Sequence, residues 1–162
     1  MVVLEPLDEF AFDAYRRQLL ARYADSIASA WEVDLLTAEG FATSQLESLL
    51  PEGVVTNFHQ LRQVWREGRQ VGVVWFSSQP GSIAYVYDLF VEEPCRRQGI
   101  ASEVMRLVEI EASEQGCFAL SLHVFESNAV AQQFYQALGL RPIGTQLFKR
   151  FHNAGAAKIG GQ

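Results

Sequence analysis

The sequence has 162 residues, the length of one domain at the usual ~100–200 residues per domain. Hydrophobic residues make up 49% and charged residues 20%, a globular composition that argues against wholesale disorder. Thirteen Lys and Arg against 19 Asp and Glu leave a formal charge of −6. That balance argues against nucleic acid as a partner and favours a cationic or amine-bearing one at long range.

Met1–Leu7 lacks the basic start and apolar run of a signal peptide, and Val2 to Leu7 reads as a short strand. Residues 8–31 follow with Phe12, Tyr15, Leu19, Tyr23, Ile27 and Trp31 at steps of three and four, which predicts an amphipathic helix. A second helix is expected from about Thr37 to Leu50, stopped by Pro51 and Gly53. Then the texture changes. Residues 58–65 and 71–76 are strand-like runs separated by Arg66-Glu67-Gly68-Arg69-Gln70, a hairpin signal. Ile83–Val91 is a third run, rich in β-branched and aromatic residues.

Residues 99–115 return to helical spacing, with Ile100, Val104, Leu107, Val108 and Ala112 on one face and Gly116 at the C′ position. Residues 118–125 read as a strand and 128–138 as a helix closed by Gly139-Leu140; residues 144–151 read as a last strand. Residues 1–151 are therefore expected to form a single domain, with 152–162 a flexible tail. The strand–helix–strand crossover at 83–125 makes those two strands parallel, whereas the preceding meander is antiparallel. The expected class is α+β (α/β by another labelling): a mixed, mostly antiparallel central sheet with helices on both faces.

The only cysteines, Cys95 and Cys117, form no Cys-x-x-Cys and no cluster with histidine, so neither a disulfide framework nor a metal site is expected. No apolar stretch approaches the ~20 residues of a membrane span, and a cytoplasmic protein without a membrane partner is expected, as monomer or homodimer.

Two places carry chemistry. At Arg96-Arg97-Gln98-Gly99-Ile100-Ala101-Ser102 a strand has just ended and a helix opens. A helix start presents unpaired N–H groups and partial positive charge, a site for phosphate. The same residues are equally those of a glycine loop that merely starts a helix. The second place is Asn128, Ala131 and Tyr135. Asn128 and Tyr135 are two helical turns apart, share a face and lie ~10 Å apart along the axis, within reach of one ligand arm. Taken singly, Asn128 is as well explained as a helix cap and Tyr135 as a core residue with a wet hydroxyl.

Together, in this order and spacing, the residues LFV (89–91), RRQGIA (96–101), Asn128 and AQQFYQALGL (131–140) resemble the GCN5-related N-acetyltransferase (GNAT) superfamily over about 83–142. The segment LLPEG, Thr56, His59 and VGVVW is similar to small bacterial acetyltransferases of that group. The resemblance implies transfer of an acetyl group from acetyl-CoA to an amine, in a cleft where two parallel strands splay. It implies that Leu89, Phe90 and Val91 pair through their backbones with the pantetheine arm, and that Arg96, Arg97, Gln98, Gly99, Ile100, Ala101 and Ser102 hold the diphosphate. Asn128, with Ala131, then contacts the pantetheine, and Tyr135 stands at the sulfur as general acid.

The catalytic candidates are Tyr135, His123 and Asp88. A Lys-like amine of pKa ~10.4 is only about 0.04% neutral at pH 7, so a base must take its proton. The ribosomal-protein N-terminal acetyltransferases carry a Glu five residues before the Asn, where this sequence has His123. An imidazole's ordinary pKa of ~6.5 suits that task. Asp88 is the second candidate, either as base or as anchor for a cationic acceptor, with Glu126 and His59 behind it. The acceptor is an amine on a small molecule, a protein N-terminus or a lysine. A catalytically silent acyl-CoA sensor is the competing reading.

Overall fold

The computed structural model describes residues 1–151; the tail expected at 152–162 lies outside the described residues. Five strands form one sheet in the order β1 (Val2–Pro6), β2 (His59–Arg66), β3 (Arg69–Ser77), β4 (Ile83–Val91), β5 (Ala119–Leu122). The first three pairings are antiparallel and β4–β5 is parallel. The helices are α1 (Glu9–Trp31), α2 (Leu35–Leu49), α3 (Ile100–Glu114) and α4 (Ala129–Ala137).

Local chemistry sets these boundaries. The Asp8 carboxylate accepts from the Ala11 amide at 2.7 Å to start α1, and Asp34 does the same for α2 from the Thr37 amide at 2.8 Å. Glu67 and Gly68, both with positive φ (52° and 75°), make a two-residue turn whose twist matches the β2–β3 hairpin.

The two sides of the sheet have separate cores. On one, Tyr15 and Leu19 of α1 and Leu46 of α2 pack on Leu61, Val73 and Trp75. Ala24, Ala38 and Ala42 are buried between the two helices, where small side chains let the backbones approach. On the other, Ile100, Val104, Met105 and Val108 of α3 pack on Val64, Val74, Phe76 and Val86. Val104 and Val108 are both 0% exposed, and each such burial is worth about 1.5–3 kcal/mol. Because helices cover both faces, β3 reads as an unbroken buried run from Val71 to Phe76 rather than as an alternation.

β4 has a bulge. Trp75 lies opposite Asp88 and Phe76 opposite Val86, so Tyr87 is an extra residue with no partner on β3.

The C-terminal part departs from expectation twice. The strand expected at 118–125 is only Ala119–Leu122, and residues 144–151 form no strand. In the latter segment Phe148 stacks on Trp31 with ring centroids 6.0 Å apart. Arg150 donates to the Glu32 carbonyl at the C-terminal end of α1, the negative pole of that helix. Adjacent Leu147-Phe148 and Lys149-Arg150 break the period-two alternation that would fix a strand register, and these contacts with α1 take its place.

Candidate active site

β4 and β5 pair from Ile83↔Ala119 to Val86↔Leu122 and no further, although β4 runs on to Val91. The bulge at Tyr87 turns β4 at that point while β5 ends, so the two strands part. Residues 88–91 keep β3 on one side and have no strand on the other. Such an edge offers N–H and C=O groups to an extended ligand. Leu89 and Phe90 are half-buried and Val91 is buried.

Gly72 of β3 backs this open stretch. A Cβ there would lie 2.2 Å from the Phe90 carbonyl oxygen, so only glycine lets the two backbones come this close. The sequence reading passed over it, although a glycine inside the apolar run VGVVW is the signal of a close approach.

Just beyond Val91, a single turn of 3₁₀ helix (Glu93–Cys95) leads to the start of α3. Arg97 and Gly99 both have positive φ, 62° and 77°, and Gly99 is the N-cap with no side chain closing the helix. The first amides of α3 are thus open to an anion. A Cβ on Gly99 would meet nothing within 4 Å, so the left-handed backbone, not crowding, requires glycine there. Arg96 donates from Nε to the Val91 carbonyl at 2.9 Å, and Gln98 donates to the Pro94 carbonyl at 3.2 Å. Arg66 in turn donates to the Gln98 side chain at 3.3 Å. Arg96, Arg97, Gln98, Gly99 and Ser102 are exposed, Ala101 is half-buried, and Ile100 anchors the helix in the core at 3% exposure. Cys95 is a buried free thiol beneath this loop.

Asn128 starts α4. Its Oδ1 accepts from the Ala131 amide at 3.1 Å, so it does serve as a cap. Two turns on, Tyr135 packs half-buried against the α3-side core. Burial, and then the negative charge of Asp88, push the Tyr135 phenol up to about 12. It keeps its proton throughout the neutral range and is a permanent donor.

Asp88 is 9% exposed. Arg22 of α1 grips it with both guanidinium nitrogens, NH1 to Oδ1 at 2.8 Å and NH2 to Oδ2 at 3.0 Å, and the Tyr15 hydroxyl donates to Oδ2 at 3.0 Å. A carboxylate so engaged is poorly placed to receive an amine's proton. In the sequence Tyr15 counts only toward the apolar face of α1, and Arg22 is not singled out. Their signal was there: Tyr15 and Arg22 are seven apart, so a charged residue stands on the buried face of α1.

His123 is the first residue past β5 rather than on the strand, exposed, with its ring edge against Phe125 at 5.0 Å. His59 lies on β2. Its Nδ1 accepts from the Trp75 indole at 2.9 Å, and burial lowers its pKa. The neutral ring therefore carries its proton on Nε2, and no lone pair remains to act as base. Glu126 is exposed.

A cavity of about 1340 Å³ lies between β5, the C-terminal end of α1 and residues 139–148. It touches His123 and Tyr135 but none of Leu89, Phe90 or Val91. Among the described residues no group of three or more His, Cys, Asp or Glu is placed to hold a metal, and no helix is long and apolar enough to cross a membrane.

The comparison with known proteins agrees with this geometry. Residues 15–140 match the family described as "Acetyltransferase (GNAT) family". YycN of Bacillus subtilis, described as an uncharacterized N-acetyltransferase, is 28% identical over 158 residues, covering 92% of this chain and 98% of YycN. Its crystal structure superposes with a TM-score of 0.85 at 26% identity, covering 93% of this chain and 99% of that one. Thialysine N-ε-acetyltransferase of Bos taurus is 34% identical over 68 residues, covering 42% of this chain and 40% of the bovine protein. With the splayed parallel pair and the uncapped α3 start in place, the chain belongs to the GNAT acetyltransferase family, whose acetyl donor is acetyl-CoA.

Proposed function

We propose that the protein transfers an acetyl group from acetyl-CoA to a primary amine by direct attack within a ternary complex. The observation that carries this reading is the parting of β4 from β5 at Val86, beside a helix start that no side chain caps. Acetyl-CoA, when bound, supplies an activated thioester.

The backbones of Leu89, Phe90 and Val91 receive the pantetheine arm as an added strand. The amides from Arg96 to Ser102 hold the diphosphate, with the two arginines adding charge. Asn128 has its Oδ1 on the Ala131 amide, so its Nδ2 remains to meet the pantetheine.

Three chemical tasks follow. The Val91 amide donates to the developing oxyanion. His123 takes the amine's proton, directly or through water; without a base, keeping a Lys-like amine neutral at pH 7 costs about 4.6 kcal/mol. Tyr135 donates to the leaving sulfur. With its phenol at about 12, it stands some 3.5 units above a thiol of ~8.5. It therefore stabilises the developing thiolate as a hydrogen-bond donor and does not give up its proton outright. The acceptor is a primary amine, in keeping with the net charge of −6 and with the amine named for the bovine relative.

The engagement of Asp88 favours a second reading, a sensor that binds acyl-CoA without turning it over, because among the described residues no buried carboxylate is left to act as base. Titration calorimetry with acetyl-CoA, followed by a panel of primary amines with free thiol as the readout, separates the two. Binding with turnover supports the transferase, and binding without turnover on any amine supports the sensor. Absence of heat removes both. If His123 takes the proton, His123→Ala lowers thiol release at pH 7, and raising the pH recovers it as more amine becomes neutral.

A further inference from the structure

We infer that Arg22 is a positioning residue: its two-pronged hold on Asp88 keeps β4 in the bulged course that leaves Leu89–Val91 open to the cofactor's arm. The inference rests on the acetyl-CoA reading above.

The argument starts from strand geometry. Val86 and Leu89 both pack on the α3 side, and the two residues between them, Tyr87 and Asp88, turn to the α1 side; one extra residue makes that possible. In an unbulged strand Asp88 would follow Tyr87 onto the opposite face, towards Val104 and Met105, where a carboxylate has no partner. The α1 face supplies three hydrogen bonds instead, two from Arg22 and one from Tyr15. The bulge and the ion pair thus require each other.

Arg22 also stacks its guanidinium 4.4 Å from the centroid of the Phe90 ring. It therefore touches β4 on both sides of Leu89, at Asp88 and at Phe90, along the open stretch. A lysine at this position keeps the charge but cannot span both carboxylate oxygens or lie flat on the ring. No step of the proposed chemistry uses Arg22, and it reaches the site from the first helix, 66 residues away in sequence from Asp88.

The test compares two ligands on purified full-length protein. Acetyl-CoA engages both the α3 loop and the β4 edge, whereas adenosine 3′-phosphate 5′-diphosphate carries the phosphates and no pantetheine. Arg22→Lys is expected to melt close to the wild type, to weaken acetyl-CoA about 5- to 10-fold, and to leave the nucleotide within twofold. The double variant Arg22→Met/Asp88→Asn removes both charges together, so no buried carboxylate is stranded if Arg22→Met alone fails to fold. It is expected to fold and still to bind acetyl-CoA at least about 10-fold more weakly. Acetyl-CoA affinity within twofold of wild type in either variant overturns the inference. So does a parallel loss of both ligands that tracks the melting temperature, the mark of a merely structural pair. Absence of acetyl-CoA binding by the wild type overturns the underlying reading as well, and the wild-type titration alone distinguishes that case.

Discussion

α2 and α3 are each 15 residues long, yet they begin in opposite ways. At α2 the Asp34 carboxylate sits on the first turn, accepting from the Thr37 amide and hydroxyl. The Thr37 amide, then its hydroxyl, hold the Asp34 carboxyl below the usual carboxylate range. The chain's own anion fills that site. At α3 the corresponding place is a glycine with φ 77°, two arginines stand upstream, and no side chain closes the turn. At α2 the first-turn donors are thus spent on the chain's own carboxylate; at α3 the corresponding amides remain for a ligand. β4 repeats the contrast along one strand, closed by β5 up to Val86 and open beyond it.

The most direct way to break the comparison is to make α3 begin like α2. Gly99→Asp places a carboxylate where the diphosphate is proposed to lie, and aspartate tolerates the left-handed backbone better than most residues. Calorimetry should show acetyl-CoA weakened about 100-fold, with helical circular dichroism unchanged. Gly99→Asn, neutral and of equal shape, should lose much less; equal losses in the two would remove charge from the explanation.

Tyr135→Phe tests the chemistry two turns into α4. Losing a donor to a charged sulfur should slow thiol release about 10- to 100-fold, with CoA affinity within twofold. With the phenol near 12, the wild-type rate should show no alkaline decline from this group below pH 10.

Gly72→Ala sharpens the β4 half. The added carbon meets a backbone oxygen at 2.2 Å, so β3 or β4 must shift. We expect about 1–3 kcal/mol of lost stability in urea unfolding, together with weaker acetyl-CoA binding. Stability lost without any change in binding would separate this contact from the open edge.

The smallest effect belongs to Asp34→Ala. The melting temperature should fall by no more than a few degrees at pH 7, with acetyl-CoA binding unchanged. The cap's native pKa is depressed, so its contribution is present above the unfolded carboxylate value of ~3.9 and is lost as pH falls through the native value. The melting temperatures of wild type and variant should therefore converge in acid.

Legibility in the sequence followed the range of the interactions. The apolar faces of α1 and α3, the hairpin turn and the loop before α3 are written in steps of three, four or fewer residues, and the structure places all of them where local spacing does. The parallel pair followed from the crossover at 83–125. Other features depend on partners far along the chain. The bulge at Tyr87 exists only in the register with β3, and the Arg22–Asp88 pair spans 66 residues. The course of 144–151 illustrates the same point, because contacts with Trp31 and Glu32, over a hundred residues away, hold Phe148 and Arg150. The candidate site was legible as residue types, whereas the engagement of Asp88 and the tautomer of His59 needed three dimensions.

The half-zipped β4 carries a consequence for solvent exchange. Along residues 88–91, amides turned toward β3 are tied up in the sheet, whereas those on the other side have no strand partner. Deuterium should enter that half of the strand in an every-other-residue rhythm, and an occupant lying along the open side should silence the fast beats while leaving the slow ones as they were.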